Sequence, residues 1–385
     1  MTVDDVIERD RIEEASEAME EGGIGRLLGP RAIFFIALGI AAAIIGLYVL
    51  LPKLVGVHDA INRLGDAKWY WIVVAFGFIA VAFAAYAMEF RAVVGGGDTP
   101  AIRKRLDLRA SYEITMAGFA GSTFFSAGGA GGLIIIYWAL RKAGMEARRA
   151  LCRMVALLVI LYSFYALAVV VFGVLLRTGV FSGSNPVGGT IVPAGIAGVL
   201  FVLFLLTALI PGDVERRLGV LQHSSRLARI GRRMASFPGT VATGVRTALD
   251  RLRDPQTGWL VVVGGLLYWA GNIGVLWASF HAFGVQVPFG VVVQAFFVGM
   301  AANVIPSPAA GAGPVDAGMI AAFLLFDIPK ESVFPAVLTY RLIAFWLPTI
   351  PGIVAYFQLL RRVRRWEAEP TDRGYTSVSK ALEAT

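Results

Sequence analysis

From Ala32 to Leu51 the chain runs twenty residues without a charged side chain, and it does so again over 69–88. A helix of that length rises about 30 Å, the thickness of a bilayer's hydrocarbon core. Similar apolar stretches recur at about 149–176, 190–210, 258–280 and 333–360, in a chain that is 57% hydrophobic. Backbone polar groups in lipid must be satisfied within the segment, and a helix does so. A membrane barrel would need alternating segments of about ten residues, which the sequence lacks. The pattern predicts an all-α polytopic membrane protein with six spanning helices, at about 32–51, 69–90, 149–176, 190–210, 258–280 and 333–360.

Two further apolar regions are interrupted. Residues 109–142 contain "SAGGAGG" and residues 289–327 contain "NVIPSPAAGAGPVDAG". Each is either a kinked span or a re-entrant hairpin that returns to the side it came from. Charge arbitrates between these. Basic residues cluster at 91–109, 141–149, 212–257 and 361–365, whereas the linkers 177–189 and 281–288 are nearly uncharged. Counted from a cytoplasmic N-terminus, every basic cluster falls inside only if both regions are re-entrant. If only 109–142 crossed, the loop with Arg216, Arg217, Arg226, Arg229, Arg232 and Arg233 would lie outside; if only 289–327 did, "RRVRR" would. The returning arm 315–326 is also too short to span, at roughly 18 Å. The hairpins then enter from opposite faces, the pattern of an inverted-topology repeat. At an offset of about 182, "AGG" at 130–132 lies over "AGP" at 312–314.

The remaining composition narrows the function class. Cys152 is alone, and His58, His223 and His281 are scattered, so no disulfide framework, metal site, cofactor or catalytic constellation is expected. The net charge of +8 reflects basic cytoplasmic loops rather than nucleic-acid binding, because no aromatic residues interleave with the arginines. Segment 212–257 has helical periodicity and reads as an amphipathic element on anionic inner-leaflet lipids. Residues 1–30 form an acidic cytoplasmic arm without signal-peptide features, and 363–385 a polar cytoplasmic tail. A multi-pass protein of the cell membrane with both termini cytoplasmic is expected; oligomeric state is not read from the sequence.

The stretch "PSPAAGAGPVDAGMIAAFLLFDIPKESVFPAVLTYRLIAFWLPTIPG" resembles the C-terminal signature of the lysylphosphatidylglycerol synthase transmembrane family, also called flippase-like membrane proteins. The matching positions are Pro306, Pro308, Gly311, Gly313, Tyr340, Arg341, Leu347, Pro348, Pro351 and Gly352. "FFSAGGAGGLIIIYWALRKAG" is similar to the family's first Gly-rich element, at Gly128, Gly129, Gly131 and Gly132. The resemblance covers about 31–362. It implies a domain that moves a lipid or lipid-linked group between leaflets. Some members carry a soluble aminoacyl-transferase as well; only nineteen residues follow Trp366 here, so synthase activity is not expected. Asp316 stands where the family usually has Glu, and the first half of the chain has an apolar residue where the second has Arg341.

Single residues sharpen this. Arg341 falls about nine residues, or roughly 13 Å, into the last span. An arginine at that depth carries a penalty of at least ~2.5–3.5 kcal/mol and must face a cavity or a partner. Its fork suits a lipid phosphate, and Asp316 is the candidate ion-pair partner that would hold it until a headgroup competes. Tyr340 is a second donor or a packing residue. Asn303 satisfies backbone freed at the break or touches ligand. Pro306 and Pro308 end the entering arm, and Gly311 and Gly313 allow the turn. The next helix begins near Pro314, with N–H groups and dipole favouring an anion. Glu113 is a coupling carboxylate or the partner of a nearby arginine. Arg153 binds phosphate from the cytoplasmic side or snorkels to the interface. Glu89 and Arg91 read as interfacial anchors. A lipid flippase moving an anionic phospholipid, polyprenyl-phosphate or lipid-linked group is favoured. An ion-coupled small-solute transporter and a membrane-embedded lipid-modifying enzyme stay open.

Overall fold

A computed structural model describes residues 67–95, 99–124, 130–206, 241–305 and 313–368. The acidic arm, the expected span at 32–51, most of the segment 212–257, both hairpin tips and the tail beyond Ala368 lie outside these residues. Every element among the described residues is helical. They are α1 (Trp69–Gly95), α2 (Pro100–Arg105), α3 (Leu108–Phe124), α4 (Ala130–Lys142), α5 (Ala147–Arg177), α6 (Ile191–Leu206), α7 (241–253), α8 (Gly258–Ala282), α9 (Phe289–Met300), α10 (Pro314–Leu325), α11 (Lys330–Arg341) and α12 (Leu347–Ala368). A short 3₁₀ turn, Ala301–Val304, prolongs α9.

Four of these helices are long and apolar enough to cross a bilayer: α1, α5, α8, and the continuous 39-residue helix Lys330–Ala368. The chain is a multi-pass membrane protein. Of the two other expected spans, 32–51 is outside the described residues and 190–210 is described as the 16-residue α6. The last helix keeps going past Arg341 through one π-helical turn, Leu342–Trp346. Pro348 cannot donate to the carbonyl four residues back, and a widened turn just ahead of it absorbs the mismatch.

α1 and α8 run antiparallel at the centre. The Lys68 N–H donates to Ala282 O at one end (2.9 Å), and Gly264 meets Glu89 at the other. Small residues set that distance: a Cβ on Gly271 would sit 2.8 Å from Phe78 O. With lipid as solvent, close backbone packing of this kind drives helix association.

Two pairs of short helices flank this centre. α3 folds back on α4, and α9 on α10. Both pairs touch backbone to backbone. A Cβ on Gly132 would fall 2.4 Å from Gly118 O, and one on Gly299 would fall 2.5 Å from Met319 Cα. α4 leads into α5, and α10 into α11. The first arm of each pair rests on the long helix of the other half of the chain, α3 on α12 and α9 on α5. Each pair opens at a different end of α5. Beside the α3–α4 base, Arg105 Nη2 donates to Trp366 O (3.2 Å) and Lys142 Nζ pairs with Glu367 (3.0 Å). That base leads directly into the first turn of α5. At the α9–α10 base, beyond the end of α5, Ser184 Oγ donates to Asp327 Oδ2 (2.6 Å). α5 has 31 residues, so the two bases are separated along it by about 45 Å.

Candidate functional site

The first turn of α10 is built on two local rules. Gly313, the N-cap, has φ +93°, on the side of the Ramachandran map that a Cβ disfavours. Pro314 follows at the first helical position, where its missing N–H removes nothing. Asp316, two residues on, turns back so that Oδ2 accepts the Gly313 N–H at 2.9 Å. A carboxylate here also sits on the positive end of the helix dipole.

Arg341 ends α11 and brings Nε to 3.2 Å from Asp316 Oδ1. The contact is one of charges rather than an aligned hydrogen bond. The guanidinium carbon stands 4.1 Å over the centroid of the Phe345 ring, one turn along, a cation–π arrangement. Asp316 is 0% and Arg341 4% exposed. Because α11 starts at Lys330, Arg341 lies about 17 Å into its helix, deeper than the sequence-based 13 Å. Tyr340 is buried beside it, its ring edge-on to Phe296 at 5.8 Å. The closeness of α9 and α10 at Gly299 and Gly318 fixes the height of the whole turn against the bundle.

The structure therefore brings Arg341, Asp316, Tyr340 and Gly313 together. Asn303 falls on the 3₁₀ turn after α9 and is exposed. Pro306, Pro308, Gly311, Gly128 and Gly129 lie outside the described residues. Gly131 is buried in the α3–α4 contact, where its carbonyl oxygen lies 3.2 Å from a Cβ built on Gly121.

Two other sequence candidates stand elsewhere. Glu113 on α3 is 2% exposed and held by a bidentate fork from Arg362: Nε donates to Oε2 at 2.6 Å and Nη2 to Oε1 at 2.9 Å. Arg109 adds a contact at 3.2 Å. This cluster ties α3 to α12, away from Asp316. Arg153 is 7% exposed and its Nη1 donates to Val93 O at 2.7 Å. It also borders an open cleft of about 530 Å³, shared with Arg148, Arg149, Thr247 and Arg251.

Glu89 overturns its assignment as an interfacial anchor. It is 0% exposed, and neither carboxyl oxygen has a hydrogen-bond partner among the described residues. Arg91, two residues on, is exposed as expected. α1 extends to Gly95, so the last charge-free residue at 88 marks no helix end. Sequence reasoning also missed Arg362. It sits in a run of similar arginines, and its partner is 249 residues away.

No curated protein matches the chain. The family model described as the lysylphosphatidylglycerol synthase TM region matches residues 34–352, a stretch that includes both pairs of short helices and the Asp316–Arg341 pair. The chain thus belongs to the lysylphosphatidylglycerol synthase transmembrane family.

Proposed function

We propose that the protein is a flippase that carries an anionic phospholipid, polyprenyl-phosphate or lipid-linked group between leaflets. The observation that carries this reading is the buried Arg341–Asp316 pair at the N-terminus of a half-length helix. Buried ion pairs add little stability compared with apolar packing of the same volume, so stability alone gives no reason to place one here. A guanidinium, the free N–H groups of a first helical turn and a competing carboxylate together make an anion site that can exchange partners. An arriving phosphate displaces Asp316 from Arg341, and the acyl chains remain in lipid beside the bundle. Neutral headgroups gain nothing from that exchange.

The short helices are read as two re-entrant hairpins. α4, α9 and α10 have 13, 12 and 12 residues, against about 20 needed to cross. Their bases at opposite ends of α5, and the exchange of first arms between halves, are what an inverted-topology repeat requires. Arg246, Arg251 and Arg253 on α7 then lie against anionic inner-leaflet lipids.

The test is leaflet exchange of a fluorescent anionic phospholipid in proteoliposomes. Arg341→Ala is expected to slow exchange at least about tenfold, the equivalent of one lost charge-assisted hydrogen bond. Arg341→Lys, which keeps charge without the fork, should fall between the two. An Arg341→Ala protein that exchanges lipid at the wild-type rate removes the clamp.

A further inference from the structure

At the start of α5 an open cleft of about 530 Å³ lies between that helix and α7. It shares no residue with the Asp316–Arg341 turn. Thr243, Thr247, Asp250, Arg251 and Asp254 line it from α7 and the turn after it. Their spacing puts them on one helical face. The opposite stripe of α7, with Val245 and Ala248, is buried in the bundle. Gly244 meets Val155 of α5 with no room for a Cβ. α7 is thus held by its apolar side, and its polar side faces the cleft.

α5 supplies Arg148, Arg149 and Arg153. Arg149 and Arg153 are one turn apart on the same side of the helix. The first two of the three are exposed, whereas Arg153 is buried and its Nη1 is anchored on Val93 O, which fixes one edge of its guanidinium. Four guanidiniums therefore face three carboxylates, Glu146, Asp250 and Asp254. Asp254 is already taken up by the turn into α8: Oδ1 accepts the Gln256 N–H at 3.0 Å and Oδ2 the Thr257 hydroxyl at 2.7 Å. Guanidinium forks set around one opening match the oxygens of a phosphate, which competes there with Glu146 and Asp250.

The level of the cleft says which phosphate. α5 has no charged side chain from Met154 to Leu176, and α8 has none from Gly258 to Phe280. Both helices enter hydrocarbon right beside the cleft, which puts its arginines at headgroup depth. Leu151 and Leu252 adjoin the lining residues Cys152 and Arg251, and with Trp259 they form an exposed apolar rim. A free anion gains nothing from that rim, whereas acyl chains lie against it and the indole suits the interface.

We propose that this cleft is a second phosphate site, which seats the headgroup of one anionic phospholipid from the leaflet bordering the first turns of α5 and α8. Basic pockets between membrane helices bind headgroups in this way. The proposal goes beyond a general attraction of α7 to anionic lipid, because it specifies one headgroup in one place, held jointly by α5 and α7. It does not rest on the flippase reading: the bound lipid need not move, and Arg341 takes no part. Failure of either leaves the other standing.

Native mass spectrometry of the full-length protein in detergent, titrated with phosphatidylglycerol or phosphatidylcholine, tests it. Wild type should hold phosphatidylglycerol in preference to phosphatidylcholine, and Arg341→Ala should not remove the cleft lipid. Arg149→Gln with Arg251→Gln should hold one phosphatidylglycerol fewer than wild type, its affinity at that site falling at least about tenfold. Thr247→Trp, which fills the cleft and removes no charge, should do the same. Arg361→Gln with Arg364→Gln removes two exposed arginines of α12 that do not line the cleft, and should leave the count unchanged. Wild type that binds no phosphatidylglycerol, or binds phosphatidylcholine equally well, overturns the proposal. So does an undiminished count in both cleft variants, or an equal loss in the α12 control. Sodium phosphate that displaces the lipid assigns the cleft to a free anion and overturns it as well.

Discussion

Removing Arg341 strands Asp316 in a sealed position with the Gly313 N–H as its remaining hydrogen-bond donor. Breaking a buried pair from one side destabilises by about 3–5 kcal/mol, while replacing both partners with apolar groups is near neutral. Arg341→Ala should therefore lower the melting temperature in detergent clearly. The double variant Asp316→Leu with Arg341→Met should recover most of the loss and still exchange lipid at least about tenfold more slowly than wild type. If the double variant melts as low as the single one, the pair is not what holds that turn. Glu113 behaves differently, because Arg362→Ala leaves Arg109 within 3.2 Å. The loss there should be smaller, about 1–3 kcal/mol, read as the fall in thermal unfolding midpoint. The Asp316–Arg341 pair was legible in the sequence because a charge so deep in an apolar run needs a partner, and the segment 289–327 offers one acid away from its ends, Asp316. Arg362 was not legible, since five-residue "RRVRR" gives no sign of which arginine turns inward. Glu89 was misread for a related reason: the end of an apolar run and the end of a helix are different things.

Glycine marks where helices touch, but only some glycines do. Gly299 and Gly318 hold α9 against α10 with no room for a methyl group, whereas Gly77 on α1 and Gly195 on α6 have nothing within 4 Å of a built Cβ. Gly299→Ala should push the arms apart and destabilise by about 1–3 kcal/mol. Gly77→Ala and Gly195→Ala should be neutral or gain up to about 1 kcal/mol through helix propensity. Thermal unfolding of the four single variants, with Gly318→Ala, checks the contrast; equal effects at all four sites would mean the backbone contact contributes little. The Gly-rich breaks could be placed from the sequence because proline and glycine end helices by known local rules. The partner of each glycine could not, because it depends on how α9 folds back. The π turn at Leu342–Trp346 was equally invisible: a proline in a helix forecasts a local defect but not its form.

Across the whole chain, charge distribution and packing bear on one question, whether the short helices cross the membrane or return. If both return, the two ends of each hairpin share a side and the hairpins face opposite sides. That arrangement is what the clustering of the arginines predicts, because basic loops stay inside. The swapped contacts of α3 with α12 and α9 with α5 could not be read, since they join segments more than a hundred residues apart. Cys152 is the sole cysteine and is buried, so Cys152→Ser gives a background for single-cysteine labelling at exposed positions. Leu108→Cys and Glu146→Cys bracket the first hairpin, Gln286→Cys and Lys330→Cys the second. An impermeant maleimide applied to intact cells should label positions 286 and 330 and reach 108 and 146 only after permeabilisation. Labelling that separates 108 from 146 would make the first hairpin a full crossing, and separation of 286 from 330 would do the same for the second. Either result would place a basic cluster outside and remove the opposed geometry proposed for the two pairs of short helices.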